Sequence, residues 1–143
     1  MHRFFSAVLL LTVLAPLLLS AGCAPTPSNG LTMAPMNMLP AKMQSAPTRV
    51  REAYQFAAAN ADALKHVPCY CGCGAIGHTS NYSCYVKQSK DDGTTVFDEH
   101  ALGCSLCVDI TQDMMRLSRD GKSPPGIRAF VVATYSQFGP ANQ

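Results

Sequence analysis

TRVREAYQFAAANADALKHVPCYCGC, residues 48–73, runs from a helical pattern straight into a cysteine-dense loop. Val50, Tyr54, Ala57, Ala58, Ala61 and Leu64 recur at helical spacing along one face, so a helix is expected over 48–67. Thr48, after Pro47, is its expected cap. Pro68 ends it and biases Val67 toward an extended backbone. Beyond Pro68 the apolar period vanishes, and Gly72, Gly74 and Gly77 interrupt the chain, which predicts a loop over 69–80.

Within that loop Cys69, Cys71 and Cys73 occupy alternate positions. In an extended chain alternate side chains share a side, so the three sulfurs converge. A disulfide between residues two apart is strained, because bridged Cα distances and the C–S–S–C dihedral have narrow ranges. Thiolates gathered around a soft metal ion explain the spacing with less strain. A disulfide framework is the competing reading, since Cys84, Cys104 and Cys107 bring the count in this part of the chain to an even six.

Toward the C-terminus, residues 81–100 hold two short β-prone pieces around Asp92-Gly93, the signature of a small hairpin. A second helix is expected over 97–119, with Asp98 as its cap, Leu106, Ile110, Met114 and Leu117 as its apolar stripe, and Gly121 as its stop. On such a helix His100, Cys104 and Cys107 fall within about 60° of one another, a tripod of ligands on one face. The CSLC spacing also fits a redox dithiol, but no βαβ pattern surrounds it, and Val108 after Cys107 rules out the haem-attachment pattern. SPPGIRAFVVATYSQFG, residues 123–139, predicts a third helix, capped by Ser123 and opened by Pro124 and Pro125. Its buried face is Ile127, Val131, Tyr135 and Phe138. The expected fold is therefore mainly α: a small three-helix domain, 48–143, around a Cys/Gly-rich metal-binding loop, with a possible β-hairpin. Asp109 and Asp113 share a helix face and read as solvated.

His78 follows the triple cysteine in a glycine-flanked stretch that can fold back. The candidate ligands are Cys69, Cys71, Cys73, His78, Cys84, His100, Cys104 and Cys107; His66 is a weaker candidate. Eight ligands suffice for two four-coordinate Zn²⁺ ions or for a thiolate-bridged Cu(I) cluster. Close sulfur packing and the softness of thiolate favour copper, with zinc as the alternative. An iron–sulfur cluster would need assembly before export, and the leader has no twin-arginine pair.

Toward the N-terminus the chain opens MHRFFSAVLLLTVLAPLLLSAGC. Arg3 and the apolar run after it resemble a bacterial signal peptide, 1–22. LSAGC resembles a lipobox, which makes Cys23 a lipidation (palmitate) site and places the protein outside the cytoplasm, anchored to a membrane. Residues 23–47, rich in Pro, Ser and Met with Lys42 the one charge, read as a disordered tether reaching roughly 25–30 Å. Met33, Met36, Met38 and Met43 are soft donors, although their clustering reads more simply as linker composition.

The whole chain has 143 residues, 11 Lys and Arg against 9 Asp and Glu, and no basic stripe, which argues against nucleic acid. No catalytic triad, paired carboxylates or nucleotide loop can be read, so neither catalysis nor a small organic substrate is expected. The expected partners are the membrane and a protein that donates or accepts metal.

PCYCGCG, Gly77-His78, SNYSCY around Cys84, DEHALGCSLC ending at Cys107, and Gly126-Ile127-Arg128 together resemble the PCYCGC-motif lipoproteins of bacteria. The resemblance spans most of the domain and implies an exported lipoprotein whose cysteines and histidines form one unit. The family is largely uncharacterised, and copper handling is what its Cys/His pattern suggests. Three functions stay open: a soft-metal binder, a disulfide-stabilised adaptor or thiol–disulfide exchange protein, and a structural zinc domain.

Overall fold

The computed structural model describes residues 30–143. The expected signal peptide and Cys23 lie outside the described residues. The chain is mainly helical, with α1 (Ala41–Gln44), α2 (Thr48–Ala59), α3 (Ala61–Lys65), α4 (His100–Gly103), α5 (Ser105–Arg119) and α6 (Pro124–Tyr135). A two-stranded antiparallel hairpin joins β1 (Val86–Ser89) to β2 (Thr95–Phe97). Val86 faces Phe97 and Ser89 faces Thr95, with an irregularity between Val86 and Gln88 and the expected turn at Asp92-Gly93. Among the described residues no helix is long and apolar enough to cross a membrane.

The three longest helices carry the core. α5 packs against both α2 and α6. Its Val108, Ile110, Met114, Met115 and Leu117 are buried, as are Tyr54 and Ala57 of α2 and Ile127 and Val131 of α6. The Tyr54 and Tyr85 rings meet edge to face at 5.0 Å, a geometry favoured by the ring quadrupole. The Tyr54 hydroxyl donates to the Asp98 carbonyl at 2.7 Å, so the ring is buried without an orphaned polar atom.

The structure departs from the sequence reading in several places. The helix expected over 48–67 breaks at Asn60, whose φ of −129° and ψ of 45° are not helical. Its amide donates to the Phe56 and Thr32 carbonyls, both at 2.8 Å, ending α2 and fastening an upstream segment. Thr48 is the first helical residue rather than the cap, and its hydroxyl accepts from Arg51. Phe97 ends β2 instead of starting a helix, and the expected second helix is interrupted at Cys104, where φ is −117° and ψ is 98°. Phe138 is 59% exposed rather than buried.

The tether is expected to reach residue 47, yet from Ala34 onward it is tied to the folded unit. Leu39 and Met43 are each 2% exposed within the core. The Ala34 amide donates to the Gln55 carbonyl at 3.0 Å, and the Gln55 side chain returns a bond to the Ala34 carbonyl at 2.8 Å. Apolar burial there outweighs the linker-like composition, and the packed unit begins upstream of the expected boundary. Met33 lies partly buried against the core, whereas Met36 and Met38 are exposed.

Candidate metal centre

Three segments converge to build the site: the loop after α3, the turn before β1, and the junction of α4 with α5. Gly72 and Gly77 bracket a 3-10 turn, Cys73–Ile76, with φ of 80° and 88°. Side chains beyond glycine rarely tolerate this left-handed region, so the two glycines let the loop double back. The reversal returns His78 to the cysteines. A second 3-10 turn, Tyr82–Cys84, delivers Cys84.

Seven of the eight ligands proposed from the sequence share closely spaced sets, and the eighth, Cys104, touches the cluster through Cys107. The Cys69, Cys71 and Cys107 sulfurs form a triangle with edges of 3.4, 3.4 and 3.6 Å. Cys104 stands 3.3 Å from Cys107, Cys73 stands 3.7 Å from Cys84, and His100 Nε2 stands 3.5 Å from Cys71. The His78 and His100 rings meet edge to face at 5.0 Å. Three overlapping sets have ligand atoms within 4.8 Å of one another: Cys69, Cys71, Cys73 and Cys84; Cys71, Cys84, His100 and Cys107; Cys73, His78, Cys84 and His100. His66 does not join; its carbonyl accepts from Arg128 at 3.1 Å.

These separations suit a metal. Two ligands on a tetrahedral ion with bonds of about 2.0–2.3 Å lie about 3.3–3.8 Å apart. The six cysteines of the described residues are free thiols. His78 supplies a further sign: its Nδ1 is buried without a hydrogen-bond partner, while its Nε2 faces Asp98 at 3.5 Å. A buried imidazole nitrogen left over, with a carboxylate behind the other, is the arrangement that orients a ligating histidine. The donor set of five closely spaced sulfurs and two imidazoles is soft to intermediate and fits Cu(I) or Zn²⁺.

Electrostatics favour a bound cation. Hydrogen bonds from Cys107, then Cys84, hold the Cys69 thiol far below the ordinary thiol range. Burial, followed by contact with Cys73, pushes Cys71 up, and burial pushes Cys73 up as well. Cys107 rises because it bonds to Cys69 and to Cys84. Like charge on neighbouring sulfurs opposes ionisation throughout the cluster, and positive charge at its centre would relieve that repulsion.

The supporting residues were not legible as such. Asp98, expected only as a cap, accepts from the His100 amide at 2.7 Å and also backs His78. Tyr85 donates to the Cys107 carbonyl at 2.9 Å and accepts from Thr111 at 2.7 Å, and Thr111 accepts from Asn81 at 2.9 Å. Asn142 fastens the loop. Its carbonyl oxygen accepts from the Cys69 amide at 2.7 Å, its backbone amide donates to the Cys69 carbonyl at 3.1 Å, and its side-chain amide donates to the Cys73 sulfur at 3.3 Å. Nothing in the tail sequence PANQ marks that role. Asp109 and Asp113, expected to be solvated, pair with Arg49 and Arg116, and Asp113 also accepts from Tyr135.

A protein family described as "Protein of unknown function with PCYCGC motif" matches residues 30–142. No curated protein and no solved structure matches the chain.

Proposed function

The chain belongs to the family of proteins of unknown function with the PCYCGC motif, and from that premise we propose that it is an exported, lipid-anchored protein that binds Cu(I) for buffering, storage or transfer, without catalysis. One observation carries the reading: the ligand sets share members. Cys84 belongs to all three, and Cys71, Cys73 and His100 each belong to two. Separate closed mononuclear sites cannot share ligands in this way unless sulfurs bridge. Bridging thiolates with low coordination numbers suit Cu(I), and soft sulfur donors select it. The anchor rests on LSAGC and Cys23 in the sequence. The partners in this reading are the membrane and a protein that donates or accepts the ion.

A structural zinc domain is the second reading, supported by the tetrahedral ligand separations in sets of four. To distinguish them, the domain is purified anaerobically, its free thiols are counted, and Cu(I) and Zn²⁺ are titrated with elemental analysis. Several Cu(I) per chain, displacing any Zn²⁺, is the expected result. Two Zn²⁺ that Cu(I) cannot displace would support the zinc domain instead. Three disulfides with no bound metal would sink both and support the adaptor or exchange protein.

A further inference from the structure

The eight ligands are not equally placed. Cys69, Cys73, His78, Cys84 and Cys107 are buried, while Cys71, His100 and Cys104 are half-buried. The cluster therefore meets solvent along one edge. Two of the three edge residues are built into the interior. Cys71 contacts Cys69, Cys107 and His100, and both Cys71 and His100 belong to two of the closely spaced ligand sets. Cys104 belongs to none of them. Its sulfur lies 3.3 Å from one buried partner, Cys107. The backbone at Cys104 is extended between α4 and α5, and its neighbours Gly103 and Ser105 are exposed.

We infer that Cys104 is the port of the cluster, the thiol that first takes an incoming Cu(I) ion and passes it to Cys107. The inference rests on the metal-binding reading above and adds a route to it. A soft ion arrives held by a donor, since free Cu(I) does not persist in water. The Cys104–Cu bond forms as one donor–Cu bond breaks, and the Cys104 proton passes to the released donor ligand. Cys107 then repeats the exchange from the inner side and displaces the remaining donor ligand, which takes the Cys107 proton; Cys71, 3.6 Å from Cys107, finally replaces Cys104 on the ion, and the Cys71 proton returns to the Cys104 sulfur. The ion stays Cu(I) throughout, and no electron moves. Release is the same sequence reversed, so the natural partner presents its own soft ligand, a thiolate or thioether, at this edge. One thiol reached from outside and touching one inner sulfur suits stepwise exchange. A ligand enclosed by several others does not.

The test compares the full domain with its Cys104→Ser and Cys84→Ser variants. Cu(I) is presented as its bicinchoninate complex, and loss of the chelator colour is followed in time. Cys104→Ser is expected to reach the wild-type number of Cu(I) per chain, but roughly tenfold or more slowly, because the first intramolecular foothold is lost. Cys84→Ser is expected to lower the final number instead. A Cys104→Ser variant that loads at the wild-type rate, or that binds fewer ions, overturns the port. Wild-type protein with six reduced thiols that binds no Cu(I) overturns the metal reading and the port together. Limited alkylation of unsubstituted apo-protein by iodoacetamide, mapped by mass spectrometry, provides an independent check. Cys104 should be modified before Cys69, Cys73, Cys84 and Cys107, and the singly modified protein should load slowly; modification of Cys104 no faster than of those four also overturns the port.

Discussion

Cys71, Cys73 and Cys107 are all held above the ordinary thiol range, so they carry protons at neutral pH. Binding a cation must displace those protons, and apparent affinity therefore rises with pH until the thiols would ionise unaided. Competition titrations at pH 6, 7 and 8 are expected to show affinity climbing by about tenfold per pH unit for each displaced proton. A flat profile would mean that these thiols are not ligands. Asp98 gives a second prediction at this scale. Its carboxylate backs His78 and fixes the His100 amide. Asp98→Asn should weaken metal binding by about 10–100-fold while leaving the helical circular dichroism unchanged. Most of the ligands could be read from spacing alone, because alternate cysteines and the His100, Cys104, Cys107 series place like atoms together in any plausible backbone. Asp98 was visible only as a local cap, since its role toward His78 depends on a contact made across the chain.

The elements show where local pattern stops being informative. Helical period predicted one helix where α2 and α3 lie, and the break comes from the Asn60 amide bonding Thr32, a partner 28 residues away. The tripod expected on one continuous helix is kept in part across the break at Cys104: His100 of α4 and Cys107 of α5 share a closely spaced set, while Cys104 between them touches Cys107. Residues 31–47 look like linker by composition, and only the packed core reveals the use made of Leu39 and Met43. Met43→Ala should cost about 2–5 kcal/mol, the range for emptying a buried methionine site. Urea denaturation followed by circular dichroism measures it. A loss under about 0.5 kcal/mol, the ordinary effect of a surface change, would mean that this segment is not part of the folded unit.

For the molecule as a whole, the helical core and the ligand loop have different supports. The core is closed by apolar contacts between α2, α5 and α6. Asn142 holds the loop, and the loop's Tyr70 and the nearby Tyr82 are buried. Stripping the metal should raise amide exchange across 69–84 while α2, α5 and α6 stay protected. Asn142→Ala should enlarge that rise; exchange in the loop that ignores both changes would show the loop to be self-supporting. Mainly helical architecture, the hairpin and the cysteine-rich loop were all legible from period and turn chemistry. The clasp by Asn142 was not, because nothing in its neighbourhood sets it apart from an ordinary polar tail.

That clasp imposes an order on events. Asn142 grips Cys69 from 73 positions further along the chain, so a chain emerging from its N-terminal end presents every ligand before the residue that fastens them. During that interval the sulfurs lack the amide that shields Cys73 and the two bonds that hold Cys69. Until Asn142 arrives, the cysteines are open to whatever thiol chemistry the surroundings offer.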